Sequence, residues 1–151
     1  MIADKILNFI DGEYVATDKW YENRNPINNK VIGMVAEAGE KEVDAAVKAA
    51  KAALKGPWGS MSLQKRIELL EALVVEINNR FDDFLEAECA DTGKPKSMAS
   101  HVDIPRGAAN FKVFADMVKN VPTEFFEMTT PDGGKAINYG YRRPVGVVGV
   151  I

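Results

Sequence analysis

The spacing of apolar positions changes several times along this chain, and each change predicts an element. In Asn8-Phe9-Ile10-Asp11-Gly12-Glu13-Tyr14-Val15, apolar residues flank Asp11-Gly12. Both residues of that pair tolerate positive φ, so the segment reads as a β-hairpin. Polar turns follow at Asn23-Arg24-Asn25-Pro26 and at Asn28-Asn29, and 31–35 reads as a strand. From Lys41 to Leu54 the period becomes helical, with Val43, Ala46, Val47, Ala50 and Leu54 on one face and Lys48 and Lys51 facing out. Gly56-Pro57 stops that helix.

A second helix is predicted after Ser60 or Ser62, with Leu63, Ile67, Leu70, Val74, Ile77 and Phe81 forming one apolar seam. Asn78-Asn79 marks a break, and Asp82-Asp83 favour the start of a short helix running to Ala90. Thr92-Gly93-Lys94-Pro95 ends it, since glycine turns freely and proline cannot continue. A third long helix is expected over 97–119, with Ala108, Phe111, Ala115 and Val118 on one stripe. Pro105 lacks a backbone donor, so the helix either kinks there or begins there with Asp103 near the cap.

Two alternating stretches, Glu124–Thr130 and Ala136–Arg142, flank a turn at Pro131-Asp132-Gly133-Gly134. Phe126 and Met128 share a face of the first strand; Ile137, Tyr139 and Tyr141 share a face of the second. A lone hairpin is marginal in water, so this one is expected to pair with something else. The unbroken apolar run Val145–Ile151 reads as a strand buried on both faces of a parallel sheet. A domain rarely ends on such a strand without neighbours, so the chain reads as interrupted.

Composition narrows the classes. Hydrophobic residues make up 46% of the 151, enough for a core and too many for general disorder. Nineteen Lys+Arg against 22 Asp+Glu leave a formal charge of -3, and no basic run is longer than Arg142-Arg143. A nucleic-acid partner therefore has no electrostatic footprint. A single cysteine, Cys89, makes no internal disulfide, and Cys89 with His101 falls short of a zinc cage. Asn8, Asp11 and Glu13 interrupt any apolar leader at the N-terminus, and no membrane-spanning run occurs. These features lead to the expectation of a cytoplasmic protein with no membrane partner.

In order, the segments Phe9-Ile10-Asp11-Gly12-Glu13-Tyr14-Val15, Asn25-Pro26 with Val31-Ile32, Glu42–Ala50, Pro57-Trp58, Thr92-Gly93-Lys94-Pro95 and Arg142-Arg143-Pro144-Val145-Gly146-Val147-Val148 resemble the N-terminal portion of the NAD(P)-dependent aldehyde dehydrogenase superfamily. Within it, Asp103–Phe111 and Pro131-Asp132-Gly133 are similar to the 2-hydroxymuconic and 2-aminomuconic 6-semialdehyde dehydrogenases of aromatic meta-cleavage. The resemblance implies an incomplete α/β fold. Residues 1–122 would be the N-terminal part of the cofactor domain with its helical layer. Residues 123–143 would be an oligomerisation hairpin joining a second copy, and 144–151 the first strand of the dinucleotide-binding sheet.

The implied reaction oxidises an aldehyde to an acid with NAD or NADP through a cysteine thioester. The family's nucleophile, glutamate base, oxyanion asparagine and glycine-bearing cofactor loop have no matching positions here. Catalytic and cofactor-binding residues are therefore expected to be none, and the segment alone is expected to be inactive. It would expose its apolar seams and associate. The alternative from another class is a self-standing oligomerisation or binding module that pairs through 124–142 by strand addition.

Individual candidates divide on their surroundings. Cys89 lies between Glu86-Ala87-Glu88 and Ala90, where carboxylates oppose the negative charge a nucleophile needs, and it reads as a small structural residue. His101 has no acid or thiol beside it in sequence and reads as a surface residue. Trp20 and Trp58 read as anchors under loops. Gly93-Lys94 lacks the rest of a phosphate loop, and Gly146 and Gly149 form no dinucleotide fingerprint; both read as packing and chain reversal. The resemblance also implies a structural Na+ or K+ held by the Asp103 carboxylate and by the backbone carbonyls of Asn23 and Arg24. Oxygen ligands of that kind suit a hard cation. Asp103 equally reads as a helix cap.

Overall fold

The computed structural model describes residues 4–150. A short strand β1 (Lys5–Ile6) leads into the expected hairpin of β2 (Asn8–Ile10) and β3 (Glu13–Val15). Asp11 and Gly12 turn it at φ 53° and 86°, the conformation that selects this residue pair. Next come β4 (Trp20–Arg24) and β5 (Val31–Ala36). They form a three-stranded sheet in the order β1-β5-β4, with β1 parallel and β4 antiparallel to the central strand. β4 was not expected; its last residues, Asn23 and Arg24, fall in a predicted turn, and the difference has a physical reason. Trp20, Glu22 and Arg24 alternate with Tyr21 and Asn23, so no apolar face is visible until β5 supplies the ladder.

The helices follow the predicted order. α1 (Glu40–Ala53) starts after Gly39, whose N–H donates to Glu42 Oε2 at 2.8 Å. A one-turn helix α2 (Pro57–Ser60), absent from the sequence reading, uses Pro57 at its start, where a missing N–H costs nothing. α3 (Leu63–Asn79) is capped by Ser62, whose Oγ accepts from Lys65 N–H at 3.2 Å, which decides between Ser60 and Ser62. α4 (Phe81–Thr92) begins directly after the break and ends at Gly93 in the left-handed region. α5 (Lys96–Met98), a π turn at Ala99–Asp103 and α6 (Ile104–Lys119) then run on as one helical course.

That π turn answers the Pro105 question. Proline cannot donate to the carbonyl of His101, and the turn before it widens so that Ile104 N–H reaches back to Ala99 O. The helix neither breaks nor begins at Pro105. Asp103 consequently makes no cap hydrogen bond.

Ile67, Leu85, Ala99, Ala108 and Ala115 are the buried apolar residues of the helical part. The alanines let α6 lie close along α3. The predicted seam of α3 is buried at Ile67 and half-buried at Leu70, Val74 and Ile77, while Leu63 stays exposed. α1 differs more. Its flank of Ala45, Ala49 and Ala52 faces Ile10 and Asp11 of the hairpin across a shallow groove, and the expected apolar face has Val43, Ala46 and Ala50 exposed.

The second hairpin consists of β6 (Phe125–Thr129) and β7 (Lys135–Tyr139), with Phe125 opposite Tyr139 and Met128 opposite Ala136. Its register puts Phe126 and Met128 on the face opposite Ile137 and Tyr139, so both faces are apolar and both are exposed. Residues 140–150 form neither helix nor strand. The strand expected over 144–151 is thus not formed across its described part, and Ile151 lies outside the described residues. A parallel strand needs a neighbour's backbone donors and acceptors, and none of the described residues pairs with it.

The chain exposes 11974 Å², whereas a compact monomer of 16.6 kDa would expose about 7,600 Å². The excess includes Leu69, Leu73 and Val75 on α3 and Val113, Phe114 and Met117 on α6, all exposed. These faces have no partner within the described residues.

Candidate functional site

Three segments that are distant in sequence converge at one end of the helical layer. β4 delivers Asn23 at a bulge between Asn23 and Arg24. Asn23 Nδ2 donates to Asp91 Oδ1 at 2.6 Å, which ties the strand to the last turn of α4. The loop after β4 is ordered by Asn25, whose Oδ1 accepts from Ile27 N–H at 2.8 Å. Gly93 at φ 72° turns the chain directly against that loop: a Cβ there would lie 2.8 Å from Pro26 Cγ.

The reversal at Gly93 sends Lys94 back over α4. Its ammonium lies 3.0 Å from Asp103 Oδ2 in the π turn and 3.3 Å from Glu88 Oε1. Asp103 Oδ2 is shut off from solvent. The Asp103 carboxylate first, and then that of Glu88, holds the lysine above its ordinary pKa. Beside this group, Ile6, Asn23, Phe84, Ala87, Glu88, Asp91 and Ile104 line a cleft of about 320 Å³.

The sequence-predicted metal residues thus fall in one neighbourhood, joined through α4. Arg24 turns its guanidinium outward, donating to Asn29 O at 2.8 Å and pairing with Glu22. Asp103 faces Lys94. A carbonyl-and-carboxylate set suits an alkali ion, but here an ammonium already stands 3.0 Å from one oxygen of the carboxylate. With Lys94 in that position, the residues do not fit a second cation. The sequence places Lys94 in a chain reversal and shows no charged partner for it. Its partners lie six residues before it and nine after, a spacing that matches no helical or strand period.

The other candidates stay apart. Cys89 is half-buried on α4 with a free thiol. His101 Nδ1 lies 2.7 Å from Ser97 O and 3.1 Å from Ser100 Oγ, a local arrangement on an exposed turn. Trp58 is stacked under Arg66, whose guanidinium carbon is 5.1 Å from the ring centre and whose Nη2 donates to Trp58 O at 3.0 Å. Trp20 lies beneath Lys5. Gly146 and Gly149 belong to the segment 140–150 that forms neither helix nor strand. No described group of three His, Cys, Asp or Glu could hold a metal ion, and no described helix is long and apolar enough to cross a membrane.

With an α/β chain of mixed sheet, helical layer and projecting hairpin in view, the family follows. Residues 14–151 match the aldehyde dehydrogenase family, and the chain belongs to it. It is 64% identical over 149 residues to the 2-hydroxymuconic semialdehyde dehydrogenase of Pseudomonas sp. (strain CF600), covering 97% of this chain and 31% of that protein. It is 47% identical over 144 residues to a 2-aminomuconic 6-semialdehyde dehydrogenase of Pseudomonas sp, covering 95% and 29%. Among solved structures, the NAD+ complex of an aldehyde dehydrogenase from Bacillus cereus superposes with a TM-score of 0.78 at 33% identity, covering 89% of this chain and 27% of that one. The chain therefore spans about a third of the length of the relatives it matches, and its fold is the corresponding portion of the family's α/β architecture.

Proposed function

We propose that this chain is the N-terminal part of a subunit that oxidises a muconic-type semialdehyde, 2-hydroxymuconic or 2-aminomuconic, to the carboxylic acid with NAD or NADP through a cysteine thioester. The near-complete coverage of this chain by the 2-hydroxymuconic semialdehyde dehydrogenase of Pseudomonas carries the reading. The chemical steps are assigned outside residues 4–150: Cys89 is a half-buried free thiol on α4, and His101 Nδ1 faces Ser97 O and Ser100 Oγ of its own turn. What these residues contribute is scaffold. The exposed faces of α3 and α6 are surfaces for further packing, and the doubly apolar hairpin β6–β7 is the element that joins a second copy by strand addition. A self-standing module would not leave so much apolar surface uncovered.

The test is to express this segment together with the coding sequence that continues from it and follow NADH formation with 2-hydroxymuconic semialdehyde. Turnover by the extended protein and none by the 151-residue segment is the expected result. An extended protein that folds, binds NAD and turns over no muconic semialdehyde would overturn the substrate assignment.

A further inference from the structure

We propose that Lys94 is the resident cation of the Asp103 site: its ammonium does the work of an alkali-metal ion, and the fold of this chain needs no such ion there. The inference concerns this chain's own architecture and does not depend on the activity proposed above.

Three observations carry it. Nζ stands 3.0 Å from Asp103 Oδ2, an oxygen withdrawn from solvent, and so occupies the coordination position nearest the carboxylate. A second carboxylate, Glu88, holds the same ammonium at 3.3 Å. The backbone fixes this arrangement. Gly93 in the left-handed region turns the chain, Lys94 N–H donates to Thr92 Oγ1 at 3.3 Å, and the π turn before Pro105 presents Asp103. The remaining charged neighbours are spoken for. Asp91 accepts from Asn23, and Arg24 pairs with Glu22.

Lysine suits this place. Its ammonium is a compact point charge on a flexible stem, closer to an alkali ion than a planar guanidinium would be. An alkali ion added at the same oxygen would meet a like charge at close range, which disfavours it. Removing the ammonium leaves a carboxylate with nothing to neutralise it, and that vacancy is one an oxygen-seeking ion can fill.

The experiment compares apparent melting midpoints in sodium, potassium and choline chloride at an equal ionic strength of about 0.15 M, so that screening is constant. The wild-type protein should melt at the same temperature in all three salts. Lys94→Met should melt lower in choline chloride, by roughly 3 °C, and recover part of that loss in sodium or potassium chloride. Lys94→Met/Asp103→Asn should regain most of the midpoint and lose the response to alkali ions. A wild-type midpoint raised by sodium or potassium over choline would overturn the proposal. So would a Lys94→Met midpoint indifferent to alkali ions, or a double variant no better than the single one. Should Lys94→Met fail to fold, the wild-type salt comparison and the double variant still decide.

Discussion

Replacing Gly93 by alanine tests the way α4 is turned against the loop after β4. Two costs add at this position. The residue sits at φ 72°, where a Cβ crowds the backbone at roughly 1–2 kcal/mol. The added methyl would also lie 2.8 Å from Pro26 Cγ and 3.2 Å from Ile27 Cγ1, inside ordinary contact distance. Overpacking of that kind costs about 1–3 kcal/mol. The sum is about 3 kcal/mol, which for a chain of this size lowers the melting midpoint by about 6–12 °C. Gly12 and Gly133 provide matched controls, with φ 86° and 83° and nothing within 4 Å of an added Cβ. Gly12→Ala and Gly133→Ala should show the backbone cost alone. Urea unfolding followed by tryptophan fluorescence and circular dichroism gives all three values. If Gly93→Ala costs no more than Gly12→Ala, the loop at Pro26–Ile27 does not pack on the end of α4, and the convergence described here is refuted.

Two further outcomes are expected. Ser62→Ala removes the cap of α3 and should cost about 1 kcal/mol in urea unfolding. Ser60→Ala should cost little, because its hydroxyl only donates to the carbonyls of Pro57 and Gly56; equal costs would refute the assignment of the cap. In the turn of the second hairpin, hydrogen bonds from the Thr130 hydroxyl and then from the Gly134 N–H hold Asp132 below the usual carboxylate pKa. A depressed folded pKa means that the carboxylate's support for the turn is complete above the unfolded value and is lost as pH falls through the folded one. An NMR titration of the Gly134 amide should therefore find its midpoint on the acid side of a model aspartate, and Asp132→Asn should abolish it. A midpoint at the ordinary aspartate value would contradict the turn geometry.

Local chemistry alone determined much of this chain. Asp11-Gly12 specifies its hairpin because few residue pairs accept positive φ in succession. The helical periods of 41–54 and 63–77 are written in side-chain order, and Gly93 ends α4 for a reason visible in Thr92-Gly93-Lys94-Pro95. The family resemblance was also legible, since the order of short motifs survives without any knowledge of contacts.

Tertiary structure decided what periodicity cannot express. β4 became a strand only because β5 lay beside it, for its own alternation of Trp20, Glu22 and Arg24 shows no apolar face. The opposite happened at 144–150, a strongly strand-like run that forms no strand because a β-ladder requires a partner's donors and acceptors. Pro105 was resolved by a π turn, a redistribution of backbone hydrogen bonds that no single residue announces. The ion pair of Lys94 and Asp103 is likewise a product of folding: two charges nine positions apart meet because the helical course from Lys96 through the π turn sets Asp103 beside Lys94. Sequence determines what each segment prefers within a few residues of itself, whereas charge pairs and sheet ladders depend on distances that exist only after the chain has folded back.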